Sequence, residues 1–342
     1  MWSQRCHPRG QPLAGSCSNC WLLHLLAVPK PYSFLLFLLC TLASCATRPA
    51  ARLQVAAGYC DPPLAYRYDP ALAPQPDVVA ALTPALLARY PRRSLLTANA
   101  LGLLPLLQQL LTLEAQARQQ PGAARDLAVL RLRQQAAAQV ALASTAVASI
   151  AAELDCEGER ADQVAGYLSA QDSRRTQRLN VLSIGTGAAS GIGATLFADK
   201  PAQYAFGIGG GLLAAGFGLL TLRVGSTVEF KHPRNLLAEV WEPRPTSELF
   251  PPSVWYMLTE PAFSNDGRSA IAANTRQRWE HYGQLARPES KEGRALAALL
   301  FGAGGQYSAS QLTVRANMLN ELQSAVRLLN QELLGLQLML AP

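Results

Sequence analysis

Lysine and histidine are scarce in this chain, four of each in 342 residues, and aromatic residues make up only 7%. Beyond residue 45 the histidines are His232 and His281, and neither belongs to an HExxH pair or to any other ligand spacing. GxSxG is missing as well, so the common zinc-hydrolase and serine-hydrolase arrangements have nothing to build on. No basic stripe interleaved with aromatics occurs, and nucleic acid is therefore not an expected partner. The formal charge of +7 includes Arg5, Arg9 and Lys30. Without residues 1–45, 27 basic residues face 23 acidic ones, a balance of only +4. The chain is rich instead in Leu, Ala, Gln and Arg, with 49% apolar residues. That composition favours helix over sheet and suffices for a substantial core in one or two domains.

The organising stretch is residues 179–224, two apolar, glycine-rich segments joined by the polar turn ADKPAQ. Each is about as long as a helix that crosses a bilayer. In the first, Ser183, Gly187, Gly191 and Thr195 recur every fourth residue; in the second, Gly207, Gly211 and Ala215 do the same. Small residues at this spacing let two helix backbones approach closely. These seven are the expected helix-packing residues of a hairpin, a glycine zipper that sits either in lipid or in a protein core. Arg174, Arg175 and Arg178 precede it and Arg223 closes it, all able to reach water or phosphate at a membrane edge.

At the N-terminus, Lys30 precedes the apolar run YSFLLFLLCTLA, which ends in Leu42, Ala43, Ser44 and Cys45. A charged residue, a short apolar run and small residues before a cut describe a secretory signal peptide. The ending resembles the lipobox of bacterial lipoproteins. That resemblance implies a diacylglycerol on Cys45, cleavage before it, and, with Ala46 next in line, sorting to the outer membrane of the cell envelope. The other readings of the run are an ordinary cleaved signal and an anchor helix, for which it is short. Cys17 and Cys20 have the spacing of a metal knuckle but no second pair, so no metal site is assigned. Once Cys45 is acylated, Cys60 and Cys156 are the two thiols left, and a disulfide between them is expected in a secreted domain.

Residues 46–96 carry eight prolines, a density that blocks long helices and makes a tether. Residues 97–342 read as a helical body. A first helical pattern begins near Thr97 and stops at Pro121-Gly122, and a longer one runs from Ala123 towards Gln171. After the hairpin, residues 232–293 are rich in proline and tryptophan. There Trp241, Phe250, Trp255, Tyr256 and Phe263 form either a ligand groove or a small aromatic core. Near the C-terminus, Leu312, Leu319, Val326, Leu333 and Leu340 recur every seventh residue, with Leu322, Leu329 and Leu336 between them and Arg315 as the one break. This coiled-coil pattern is satisfied by antiparallel pairing with the long helix before the hairpin, or by another envelope protein.

The segment TGAASGIG, Thr186 to Gly193, resembles the cofactor turn of short-chain dehydrogenases, which implies NAD(P) at a helix N-terminus. The Tyr-xxx-Lys pair of that family is absent, since the residues four before Lys30, Lys200, Lys231 and Lys291 are Leu26, Leu196, Thr227 and Arg287. The acidic run Glu153, Asp155, Glu157, Glu159 and Asp162 reads as a solvated helix face. The expectation is therefore an all-α, elongated helical bundle with an apolar hairpin and a coiled-coil-like C-terminal helix. It is a membrane-bound envelope lipoprotein with lipid as partner, without cofactor, and not an enzyme. A pore-forming architecture is the alternative within the same fold.

Overall fold

The computed structural model describes residues 55–62, 67–282, 285 and 287–341. The lipobox, Cys45 and the start of the tether lie outside the described residues. Within them the fold is all-α apart from one two-stranded ribbon: eleven α-helices, with short 3₁₀ turns at Pro70–Leu72 and Pro261–Phe263. The first helices are short because proline punctuates them: α1 (Val78–Ala81), α2 (Pro84–Arg89) and α3 (Arg92–Ala100). In α4 (Leu104–Gln119), Pro105 occupies the first turn, where its missing N–H is not needed.

The axis of the molecule is α5, a single helix over Ala123–Leu196. Its 74 residues extend for about 110 Å at about 1.5 Å per residue. The sequence pattern suggested an end near residue 171 and a new helix at 179, weakened beforehand by Gly158 and Gly166. Instead the helix is continuous, and neither proline nor glycine stands between those points. Gly158 has a packing reason: a Cβ there would lie 2.9 Å from Asn320 Oδ1 and 3.7 Å from Leu319 Cβ.

The helix facing it there is α11 (Ala309–Leu340), which starts on a capping box between Ser308 and Gln311. Hydrogen bonds from Ser144 to Asn330 and from Gln323 to Asp155 show that it runs antiparallel to α5. Leu312, Leu319, Leu322, Val326, Leu329, Leu333, Leu336 and Leu340 are all buried, so the heptad face is spent within the chain. Val140, Val147, Ile150 and Leu154 of the expected α5 stripe are also buried.

Between the long helices the chain makes α6 (Lys200–Thr221), β1 (Thr227–Lys231), α7 (Leu236–Trp241), α8 (Pro252–Thr259), α9 (Ile271–His281), α10 (Lys291–Phe301) and β2 (Gly304–Ser308). The strands pair antiparallel, Thr227 with Ser308 through Lys231 with Gly304. This ribbon was not expected from the sequence. Gly304 is indispensable to it, with φ +102° and a position where a Cβ would collide with the Phe230 carbonyl. In the proline-rich segment Phe250, Trp255 and Phe263 are buried, and Phe250 stacks on Trp255 at 5.4 Å. The aromatics there are a core.

Candidate functional site

Two helices, α5 and α6, are long and apolar enough to cross a membrane. They form the hairpin. Asp199 caps α6 by accepting from the Ala202 N–H, and Pro201 sits in its first turn. Phe197 stacks on Phe206 at 4.9 Å just inside the tip, and Gln203 donates to the Phe197 carbonyl.

The seam is built from small and hydroxylated residues. Ser183 Oγ donates to the Ala214 carbonyl at 2.8 Å, and Ser190 Oγ donates to the Phe206 carbonyl. A Cβ on Gly193 would come within 2.6 Å of the Phe206 ring, and one on Gly210 would overlap Ser190. Along α5 and its cap the covered positions include Thr176, Leu179, Ser183, Thr186, Ser190, Gly193 and Phe197, spaced alternately by three and four residues as in a coiled coil, with Leu182, Gly187 and Ala194 beside them. Their opposites include Phe206, Gly210, Ala214 and Gly218.

This corrects the expected packing stripe. Ser183 and Gly187 do face α6, Gly187 with Ala214 Cβ 3.8 Å from where its own Cβ would lie. Gly191, Gly207 and Gly211 have nothing within 4 Å of that position, and Thr195 and Ala215 are exposed. An exact four-residue ladder drifts round a helix of 3.6 residues per turn and leaves the interface after two steps. Ser190, Gly193, Gly210 and Gly218 were missed, although the alternating spacing from Thr176 to Phe197 is visible in the sequence.

With the small residues turned inward, the large aliphatics point out. No residue of α6 is buried, and Ile184, Leu196, Leu212 and Leu222 are 73%, 78%, 70% and 81% exposed. A water-soluble hairpin has the reverse arrangement. Between Asn180 and Ala198 and between Pro201 and Leu222 there is no charged residue. Thr186 to Gly193 lies wholly inside α5, so its N–H groups serve the helix ladder and form no phosphate-binding turn.

Below the hairpin the body is held by buried polar groups. Cys60 and Cys156 are bonded, with Cα atoms 5.7 Å apart, which fastens the turn at residues 57–60 to α5. Arg160 pairs with Glu157 at 2.8 Å, donates to the Ala56 and Lys231 carbonyls, and stacks on Phe230 at 4.0 Å. Arg234 pairs with Glu153 and donates to the Leu249 carbonyl. Burial nevertheless pushes the Glu153 carboxyl up, outweighing Arg234. The acidic run is thus not a solvated face as a whole: Glu153 and Glu157 lie one turn apart on the buried side, while Asp155, Glu159 and Asp162 are exposed.

Arg315, the break in the heptads, is only 1% exposed and donates to the Leu300 carbonyl at 2.9 Å. Asn235 fastens the same corner through the Leu300 and Gly302 carbonyls. Burial lowers Arg315 to about 10 and raises Tyr307 to about 12. Tyr307 donates to the Leu299 carbonyl and meets His232 Nε2 at 2.9 Å, which makes the imidazole the donor of that bond. Burial, with Arg315 next in importance, lowers His232 to about 3. The cluster joins α5, α10, α11 and both strands.

No family model, no curated protein and no solved structure matches this chain.

Proposed function

We propose that this protein is a lipid-anchored component of the bacterial cell envelope whose hairpin enters a bilayer and holds the helical body against it. The role is structural or membrane-organising, without catalysis. One observation carries the reading: the hairpin is inverted relative to a soluble one, with serine, threonine and glycine in its seam and leucine and isoleucine outside. In lipid that arrangement is the stable one, since small residues allow close backbone contact and apolar chains face acyl chains. Length agrees. From Arg178 to Leu196 is about 27 Å and from Arg223 to Lys200 about 34 Å along the helices, beside a hydrocarbon layer of about 30 Å.

The lipobox-like ending at Cys45 supports an acyl anchor on the same chain, in the proposed outer-membrane setting facing the periplasm. An acyl chain and an inserted hairpin together supply the two signals that stable attachment requires. Contacts with other envelope proteins, in this reading, fall to the outward side of α11, where Leu334 and Leu338 are exposed.

Photo-crosslinking groups at Ile192 and Leu212 test the hairpin in cell envelopes. Labelled phospholipid is the expected product, and labelling of protein alone would show that the face is buried against a partner. Mass spectrometry of the mature N-terminus tests the anchor, with acylated Cys45 expected; an intact Met1 or an unacylated terminus refutes it.

A further inference from the structure

We propose that the base of the hairpin is a collar for the headgroups of anionic phospholipids, formed by Arg174, Arg178 and Arg223. The proposal rests on the hairpin entering a bilayer and adds which lipid it meets at the surface.

Three observations converge on it. The first is a stripe on α5: Arg174, Arg178, Val181, Gly185, Ala188, Ile192 and Leu196 lie on one side of the helix at steps of three and four, and all are exposed. Read from the tip downward, the stripe is apolar for four turns and then turns cationic without a neutral interval. A border of that kind is where hydrocarbon gives way to headgroups.

The second is height. The contacts of Ser183 with Ala214 and of Ser190 with Phe206 fix the antiparallel register of the two arms. That register sets Arg223, just past the end of α6, level with Arg174 and Arg178. Asp199 and Lys200 stand at the other end, about one hydrocarbon thickness away.

The third is availability. Arg174, Arg178 and Arg223 are exposed, and their side chains have no hydrogen-bond or ion-pair partner among the described residues. The nearest acid is already engaged, because the Asp172 carboxylate accepts the Ser226 N–H at 3.0 Å through both oxygens. Arg175 is engaged too, donating to Ser226 Oγ at 3.0 Å. Three uncompensated guanidinium groups at one level suit phosphodiesters, whose oxygens they grip in pairs. Net negative lipid supplies the opposite charge that a zwitterionic surface lacks.

Flotation of the full chain with two kinds of vesicle tests this. One is phosphatidylcholine alone, and the other contains about a third phosphatidylglycerol. The native protein is expected to float with both and to favour the anionic vesicles by about fivefold per arginine, on the order of a hundredfold for three, at low salt. The preference shrinks as salt shortens the range of the charges. The triple variant Arg174→Gln, Arg178→Gln, Arg223→Gln should float equally with both vesicles while keeping its helical circular dichroism. A native protein without preference, or a triple variant that retains it, overturns the collar but leaves the hairpin in the bilayer. Flotation with neither vesicle overturns both readings.

Discussion

His232 is the residue whose protonation the fold resists most clearly. Its ring packs beside Tyr307 and Phe230, with Arg315 and Arg160 as the cations that oppose its charging. The folded chain therefore keeps it neutral down to about pH 3, whereas the unfolded chain protonates it near its ordinary value of 6.5. A lowered histidine contributes stability that is fully present above that ordinary value and is lost as pH falls towards the folded one. The loss is about 1.4 kcal/mol per pH unit within the window, roughly 3 kcal/mol by pH 4. Urea denaturation at pH 7 and pH 4 should show His232→Gln losing less stability than the native protein. Identical losses in the two would place the acid sensitivity elsewhere. At this scale the sequence was only partly readable. Arg315 looked like a flaw in the heptads, and Glu153 and Glu157 looked solvated, because what buries them comes from distant segments: even Glu157, whose partner Arg160 is three residues away, is covered through Arg160's contacts with Ala56, Phe230 and Lys231. Arg234 reaches Glu153 across 81 positions, and Arg315 reaches Asn235 across 80.

For the hairpin as an element, the expected consequence of the observed seam is a contrast between adjacent glycines. Gly210→Leu drives a side chain into Ser190 and should separate the arms, whereas Gly211→Leu enters open space and should leave them paired. Spin labels on α5 and α6, placed at the exposed Ala188 and Leu213, would report the distance. Equal behaviour of the two variants would show that the arms do not pack through this seam. That two helices pair here was legible in composition and length. Which face they use was not, since several ladders of small residues overlap in so glycine-rich a segment and only the register between arms selects one. Elsewhere, the C-terminal helix was legible in full from its leucines, because a heptad repeat names its own face. The ribbon of β1 and β2 was not, because Gly304 and Gly305 supply one strand with no side chains to carry a pattern.

At the scale of the molecule, the Cys60–Cys156 bond closes a loop across 96 positions, tying the tether to the main helix. Its removal by Cys60→Ser with Cys156→Ser should cost about 4–5 kcal/mol in the chain-entropy account, read as a lower denaturation midpoint. Non-reducing peptide mapping of the native protein should recover the linked peptides, and two alkylatable thiols would refute the bond. The antiparallel return of α11 along α5 was foreseeable, since a helix, a hairpin and a second helix bring the chain back to its starting side. The unbroken passage of α5 from body to hairpin was not, because Gly158 reads as a weak point until the packing of α11 on it is known. That passage has a mechanical consequence. Load travels along α5 as through a mast, with no swivel between the deck and the rigging. The second arm is lashed to the same spar where Ser226 meets Asp172 and Arg175, a second tie beside the turn at the tip. Cys156 is fixed about 27 Å along the helix from Arg174, and a push on the body reaches the hairpin through one continuous helical backbone.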